Sequence, residues 1–260
     1  MKKVIVTGGT GNLGSKIVEY LIEKKYTTTV LTSKSVLNPI NGVNNVTADI
    51  TCKDSLTSLF DDTDVIIHCA SNPRKSDDVD VMGTKNILEN INLQKPPHFI
   101  YISIVGVDKS NWPYYQNKYK TENLIKSSRI PYTILRITQF HDFVLNRIVK
   151  DLDTKPIEET FKIPKGLCFQ SIDTGEAAKR IVSYIDTIQK TEGSIITFGG
   201  PEVLPLQNIV KIYLAKHKRN QTIETYVTDD PFYKIFTTGI NLCPDYKNGK
   251  TTWKAYIEDN

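Results

Sequence analysis

The chain has 260 residues, 39% hydrophobic and 24% charged, with a formal net charge of +4. That length suggests one or two domains and is enough to bury about 70–75% of the unfolded surface, and the composition is that of an ordinary soluble globular protein. No apolar run approaches the ~20 residues of a membrane span, and two lysines before three apolar residues do not make a signal peptide. The mild positive charge does not call for a nucleic-acid partner.

In chain order, the first signal is also the sharpest. A strand expected over 3–7 (Val4-Ile5-Val6) runs into Thr7-Gly8-Gly9-Thr10-Gly11-Asn12-Leu13-Gly14, followed by a helix over 12–24 with Leu13, Ile17, Val18, Leu21 and Ile22 on one face. This is the strand, glycine turn and helix of a dinucleotide-binding βαβ unit. Glycines at 8, 11 and 14 let the backbone approach a pyrophosphate, and the free N–H groups of the helix start face the anion. Gly8, Thr10, Gly11, Asn12, Leu13 and Gly14 are therefore expected to bind the cofactor.

A second strand, 28–32, ends in Leu31-Thr32-Ser33-Lys34. NAD binding would place a carboxylate here for the ribose 2′-hydroxyl. A hydroxyl and an ammonium suit a 2′-phosphate better, so Ser33 and Lys34 favour NADP(H) over NAD(H). The third strand, 43–48, precedes Asp49, which either accepts from the adenine amino group or caps the helix expected at 53–60. The fourth strand, 64–69, ends in His68-Cys69-Ala70-Ser71. Ala70 and Ser71 are small enough to let a cofactor lie against backbone, and His68 is expected to pack in the strand.

A helix over 78–92 leads to a strand over 98–103, a helix over 114–128, a strand over 132–136 and a helix over 140–150. Repeated βα alternation with apolar strands implies an α/β fold, a doubly wound parallel sheet of Rossmann type. Within it, Tyr114 and Lys118 are four residues apart and share a helix face. An ammonium beside a phenol brings it nearer to acid–base work at neutral pH, and Ser103 at a strand tip could bond the reacting substrate oxygen. The same Y-x-x-x-K spacing recurs at Tyr20/Lys24 and Tyr246/Lys250, so position rather than pattern singles out Ser103, Tyr114 and Lys118 as catalytic.

From about 151 the rhythm changes. Prolines at 156, 164, 201, 205, 231 and 244 interrupt it, leaving helices expected near 173–188 and 205–217 and short strands near 167–171 and 194–198. The expectation is a Rossmann core over 1–150 and a small C-terminal α+β substrate cap over 151–260. The basic run Lys216-His217-Lys218-Arg219 reads as the cationic end of a helix. Four widely spaced cysteines (52, 69, 168, 243) and four isolated histidines suggest reduced core thiols, a cytoplasmic protein and no metal site.

Together these residues resemble the short-chain dehydrogenase/reductase superfamily, in the extended and atypical branch that includes NmrA-like proteins. The resemblance is carried further by Asp80-Val81-Met82-Gly83-Thr84, Tyr101 to Asp108, Pro131 to His141, Gly199-Gly200-Pro201-Glu202, Asn241 to Asp245 and Thr252-Trp253. It implies NAD(P)H in the sheet crevice, a Ser103–Tyr114–Lys118 triad and a second role for Lys118 on the nicotinamide ribose. Extended members usually carry Asn where this chain has Asp80. The segment after the sixth strand should face the nicotinamide, which makes Phe140 and His141 substrate contacts or ordinary packing residues of a helix start. The expected function is an NAD(P)H-dependent oxidoreductase acting on a small carbonyl or quinone-like substrate. A dinucleotide-sensing regulator and a nucleotide-sugar epimerase or dehydratase are the alternatives.

Overall fold

The computed structural model describes residues 2–33, 39–154, 159–187 and 193–260. Lys34, expected at the cofactor ribose, lies outside them. The strands follow the apolar runs closely: β1 Lys3–Thr7, β2 Thr27–Thr32, β3 Asn44–Thr47, β4 Val65–His68, β5 His98–Ile104 and β6 Tyr132–Ile137. The helices between them are α1 Asn12–Glu23, α2 Gly83–Glu89 and α3 Pro113–Ser127. A π-helical segment, Asp77–Met82, runs directly into α2. The helix expected at 53–60 is only a 3₁₀ turn, Lys53–Leu56. Thr57 swings to ψ 127° and Ser58 takes φ +60°, and neither continues a helix.

After β6 come α4 His141–Val144, a π-helical turn Leu145–Val149 and α5 Lys150–Leu152, which together replace the single helix expected at 140–150. The remainder comprises β7 Thr160–Pro164, β8 Cys168–Phe169, α6 Thr174–Thr187, β9 Ser194–Phe198, β10 Leu204–Pro205, α7 Leu206–Lys216, β11 Thr222–Tyr226, α8 Pro231–Thr237 and α9 Trp253–Asp259. Sequence reading missed β7, β10, β11, α8 and α9. The solvent-facing β11 carries no alternation of buried and exposed residues to betray it.

Seven strands form one sheet in the order β3-β2-β1-β4-β5-β6-β9. The pairings β1–β2, β2–β3, β1–β4 and β4–β5 are all parallel. Chain order reverses between β1 and β4, which is where an open sheet of this kind binds ligands. One face packs Ile5, Leu31, Ile66, Phe99, Tyr101 and Ile134 against Leu56, Phe60, Ile87 and Ile125.

The chain does not divide at residue 150. One compact unit comprises 1–103, 113–136 and 177–196, and the other 104–112, 137–176 and 197–260. The physical reason lies in the sheet: β9 comes late in the chain yet completes the sheet begun by β1, and most of α6 belongs to the same unit. In the second unit β7 and β11 pair in parallel, β8 and β10 pair antiparallel, and a fully buried Trp253 donates its indole N–H to the Ile209 carbonyl at 3.1 Å.

Candidate functional site

The glycine turn is built as its sequence demands. Gly8 has φ +66°, and a Cβ there would lie 2.8 Å from the Ala70 backbone. A Cβ on Gly14 would lie 2.1 Å from the Gly8 carbonyl oxygen, so the helix start and the loop are in backbone contact. The Gly11 N–H closes the turn onto that same oxygen at 2.9 Å. Gly11 caps α1 without any side-chain bond, leaving the helix start open to an anion.

A cleft of about 420 Å³ opens at this point, lined by Gly8, Thr10 and Gly11 from the turn, Ser33 after β2, Asp49 after β3, and Ala70 and Ser71 after β4. Most of the expected cofactor residues thus meet in one place, at the reversal of strand order. Asp49 also accepts from the Thr51 N–H (2.9 Å) and hydroxyl (2.8 Å), so its carboxylate organises its own turn while facing the cleft. Glycine contacts and an open helix start fit a dinucleotide pyrophosphate.

His68 is packed, as its sequence position suggested. It is fully buried, with Nδ1 2.6 Å from the Thr7 hydroxyl and Nε2 2.9 Å from that of Thr84. Burial, aided by the nearby Lys118 ammonium, pushes its pKa down to about 3, so the ring is neutral.

Beside the cleft, Tyr114 starts α3, and its hydroxyl lies 2.9 Å from Ser71 Oγ. Ser71 donates to Asp80 Oδ1 at 2.7 Å. Lys118 Nζ approaches the same Asp80 oxygen at 3.2 Å and donates to the Ile102 carbonyl at 2.9 Å. The same ammonium lies 4.7 Å from the Tyr101 ring centre and 6.0 Å from that of Tyr114. Tyr114, Ser71, Asp80 and Lys118 therefore form one continuous polar chain. Burial by itself opposes the charge on Lys118. The oxygens of Tyr101, Tyr114 and Asp80 more than offset it, and its pKa is raised.

Ser103 and His141 both stand in buried hydrogen-bond networks. Ser103 is buried, and its Oγ donates to Glu122 Oε1 at 2.6 Å rather than to the Tyr114 hydroxyl. Glu122 is in turn held by Arg136 at 2.7 and 2.9 Å. Ser103 shares a strand face with Tyr101, and both meet α3: Tyr101 at Lys118 and Ser103 one turn further on at Glu122. His141 is likewise no free substrate contact. Its Nδ1 is 2.8 Å from the Ser171 hydroxyl and its Nε2 2.9 Å from the Thr251 carbonyl, and it packs against Trp253 and Tyr256. Burial lowers its pKa, and the ring ties α4 to the approach of α9. Phe140 is half-buried and bridges its backbone to Ile172.

Asp80 was missed as a member of the site. The one available signal was a carboxylate between Val79 and Val81, at a position where the resemblance called for Asn.

Comparison with known proteins agrees with this geometry. The model of the NAD(P)H-binding family matches residues 8–162. A Methanocaldococcus jannaschii protein provisionally named UDP-glucose 4-epimerase is 32% identical over 171 residues, 53% of this chain and 56% of that protein. The match therefore spans about half the length of that relative. The isoflavone reductase homolog A622 of Nicotiana glauca is 25% identical over 82% of this chain and 77% of its own. Among solved structures, the UDP-glucuronic acid 4-epimerase of Bacillus cereus in complex with NAD superposes with a TM-score of 0.75. It covers 98% of this chain and 96% of its own at 20% identity, a likeness that speaks for the fold alone.

Proposed function

The chain belongs to the NAD(P)H-binding family, within the extended short-chain dehydrogenase/reductase and NmrA-like superfamily, and from that premise we propose that it is an oxidoreductase acting on a small carbonyl or quinone-like substrate. The observation that carries the reading is the Tyr114 phenol at the cleft-lining Ser71, backed by Asp80 and Lys118. A bound reduced nicotinamide would supply hydride to the substrate carbon. Tyr114 gives its proton to the oxygen that becomes the product hydroxyl. Lys118 stays cationic and steadies the charge that the departing proton leaves on the phenol. The Tyr114 hydroxyl and Ser71 form an exposed pair, so solvent can return the proton to Tyr114 after each cycle.

The turn around Gly8, Gly11 and Gly14, with Thr10, Asn12 and Leu13, holds the pyrophosphate, and Ala70 supports the cofactor through its backbone. Ser33 beside the cleft supports NADP(H) over NAD(H). Separate titrations with NADPH and NADH test that preference, and tighter NADH binding overturns it.

Tyr114→Phe tests the reading itself. It removes the proton and leaves the ring and the glycine turn, so turnover should fall by ~10²–10⁴-fold while NADPH binding is retained. Unchanged turnover removes Tyr114 from the mechanism. The name of the archaeal relative favours one second reading, epimerisation of a nucleotide sugar. It predicts interconversion of UDP-hexoses without net consumption of NAD(P)H.

A further inference from the structure

The Ser71 hydroxyl carries one proton and is engaged on both sides. It donates to Asp80 Oδ1 at 2.7 Å and sits 2.9 Å from the Tyr114 hydroxyl. Three donors converge on the buried Asp80: Ser71 Oγ, Lys118 Nζ at 3.2 Å and the Asn72 backbone N–H at 3.1 Å. That is the environment of an ionised carboxylate, which can only accept. With the Ser71 proton committed to Asp80, the phenol must supply the proton of the Tyr114–Ser71 hydrogen bond.

We propose that Asp80 is a positioning residue that fixes Tyr114 as a proton donor, by claiming the Ser71 proton and by drawing the Lys118 charge onto itself. The proposal deepens the oxidoreductase reading and rests on Tyr114 as its acid. Its consequence concerns the phenolate: once Tyr114 has given its proton to the substrate oxygen, Ser71 can donate to the phenolate only by releasing Asp80, and the same holds when that phenolate acts as the base in oxidation. An asparagine at position 80 would leave the Lys118 charge free to act on the phenol.

The groups that bear on this balance come from every neighbouring element. On α3 they are Lys118 and Tyr115, whose ring meets that of Tyr114 edge-on. On β5 it is Tyr101, and at the end of β4 they are His68 and Cys69, both within the field of Lys118. Lys118 brings the positive charge and Asp80 the negative. A hydrogen bond donated by the phenol and an ammonium partly offset by Asp80 act in the same direction, holding the proton on Tyr114.

The test is a pH titration of the full chain carrying ¹³C-labelled tyrosine, followed by NMR, with Tyr114→Phe identifying the Tyr114 resonance. Ser71→Ala and Asp80→Asn should each move the Tyr114 midpoint toward acid by about one pH unit, a tenfold change in its ionisation constant. A midpoint in Ser71→Ala that is unchanged, or moved toward alkali, overturns the proposal. Ser71 is exposed, so this variant decides the matter even if Asp80→Asn does not fold. The titration needs neither substrate nor turnover. Its outcome is therefore separate from that of the Tyr114→Phe assay, in which unchanged turnover would defeat the oxidoreductase reading instead.

Discussion

Ser103 and Ser71 differ in what their hydroxyls face, and that difference decides which can take part in chemistry. Ser103 spends its proton on the buried Glu122–Arg136 pair. Replacing Ser103 by Ala should then leave turnover within a few-fold of the parent and cost about 1–3 kcal/mol, the penalty for loosening one buried acceptor. Glu122→Ala should cost more, about 3–5 kcal/mol, because Arg136 loses its buried partner. Urea denaturation and a turnover assay on the two variants check both statements, and a loss of turnover in a stable Ser103→Ala protein would return Ser103 to the site. Residue types at this scale were readable from the chain: Tyr114 and Lys118 do share a face. The partners were not, since Asp80 joins them from an element more than thirty residues away in sequence.

At the scale of elements, local pattern was a good guide wherever burial is periodic. β1 and the start of α1 lie where the apolar run and the glycines put them, because a sharp turn between a buried strand and an amphipathic helix has few solutions. The tight contact makes a prediction. In Gly14→Ala the new Cβ would meet the Gly8 carbonyl at 2.1 Å, so the turn must shift. We expect about 1–3 kcal/mol of lost stability and at least tenfold weaker NADPH binding, measured by urea denaturation and fluorescence titration. Where burial is not periodic the pattern misled. The stretch at 53–60 reads as helix yet breaks at Thr57 and Ser58, and β11 lies exposed along β7 with nothing in its own sequence to announce the pairing.

At the scale of the whole molecule, buried neutral histidine links stability to pH. His68 has its pKa pushed down to about 3 by burial, against about 6.5 for the free side chain. Between those values the unfolded chain holds a proton that the folded chain does not. Stability is therefore full above about pH 6.5 and falls as the pH drops, by at most ~1.4 kcal/mol per pH unit for this one group. His141, also depressed by burial, acts in the same direction. Urea midpoints should fall between about pH 7 and pH 5, and His68→Asn should flatten that slope; an identical slope in the variant would assign the effect elsewhere.

What the chain determined by itself was everything that depends on near neighbours: the βα rhythm, the glycine turn, the Tyr114–Lys118 face and the dinucleotide class of ligand. These are set by backbone sterics and by side-chain spacing along one element. Tertiary structure alone decided that Ser103 bonds Glu122, that His141 joins the Ser171 hydroxyl to the Thr251 carbonyl, and that Asp80 and Ser71 complete the polar chain to Tyr114. Each of those outcomes depends on which buried polar group finds which partner. That choice is made by sheet order and packing between elements far apart in sequence, where spacing along the chain carries no information.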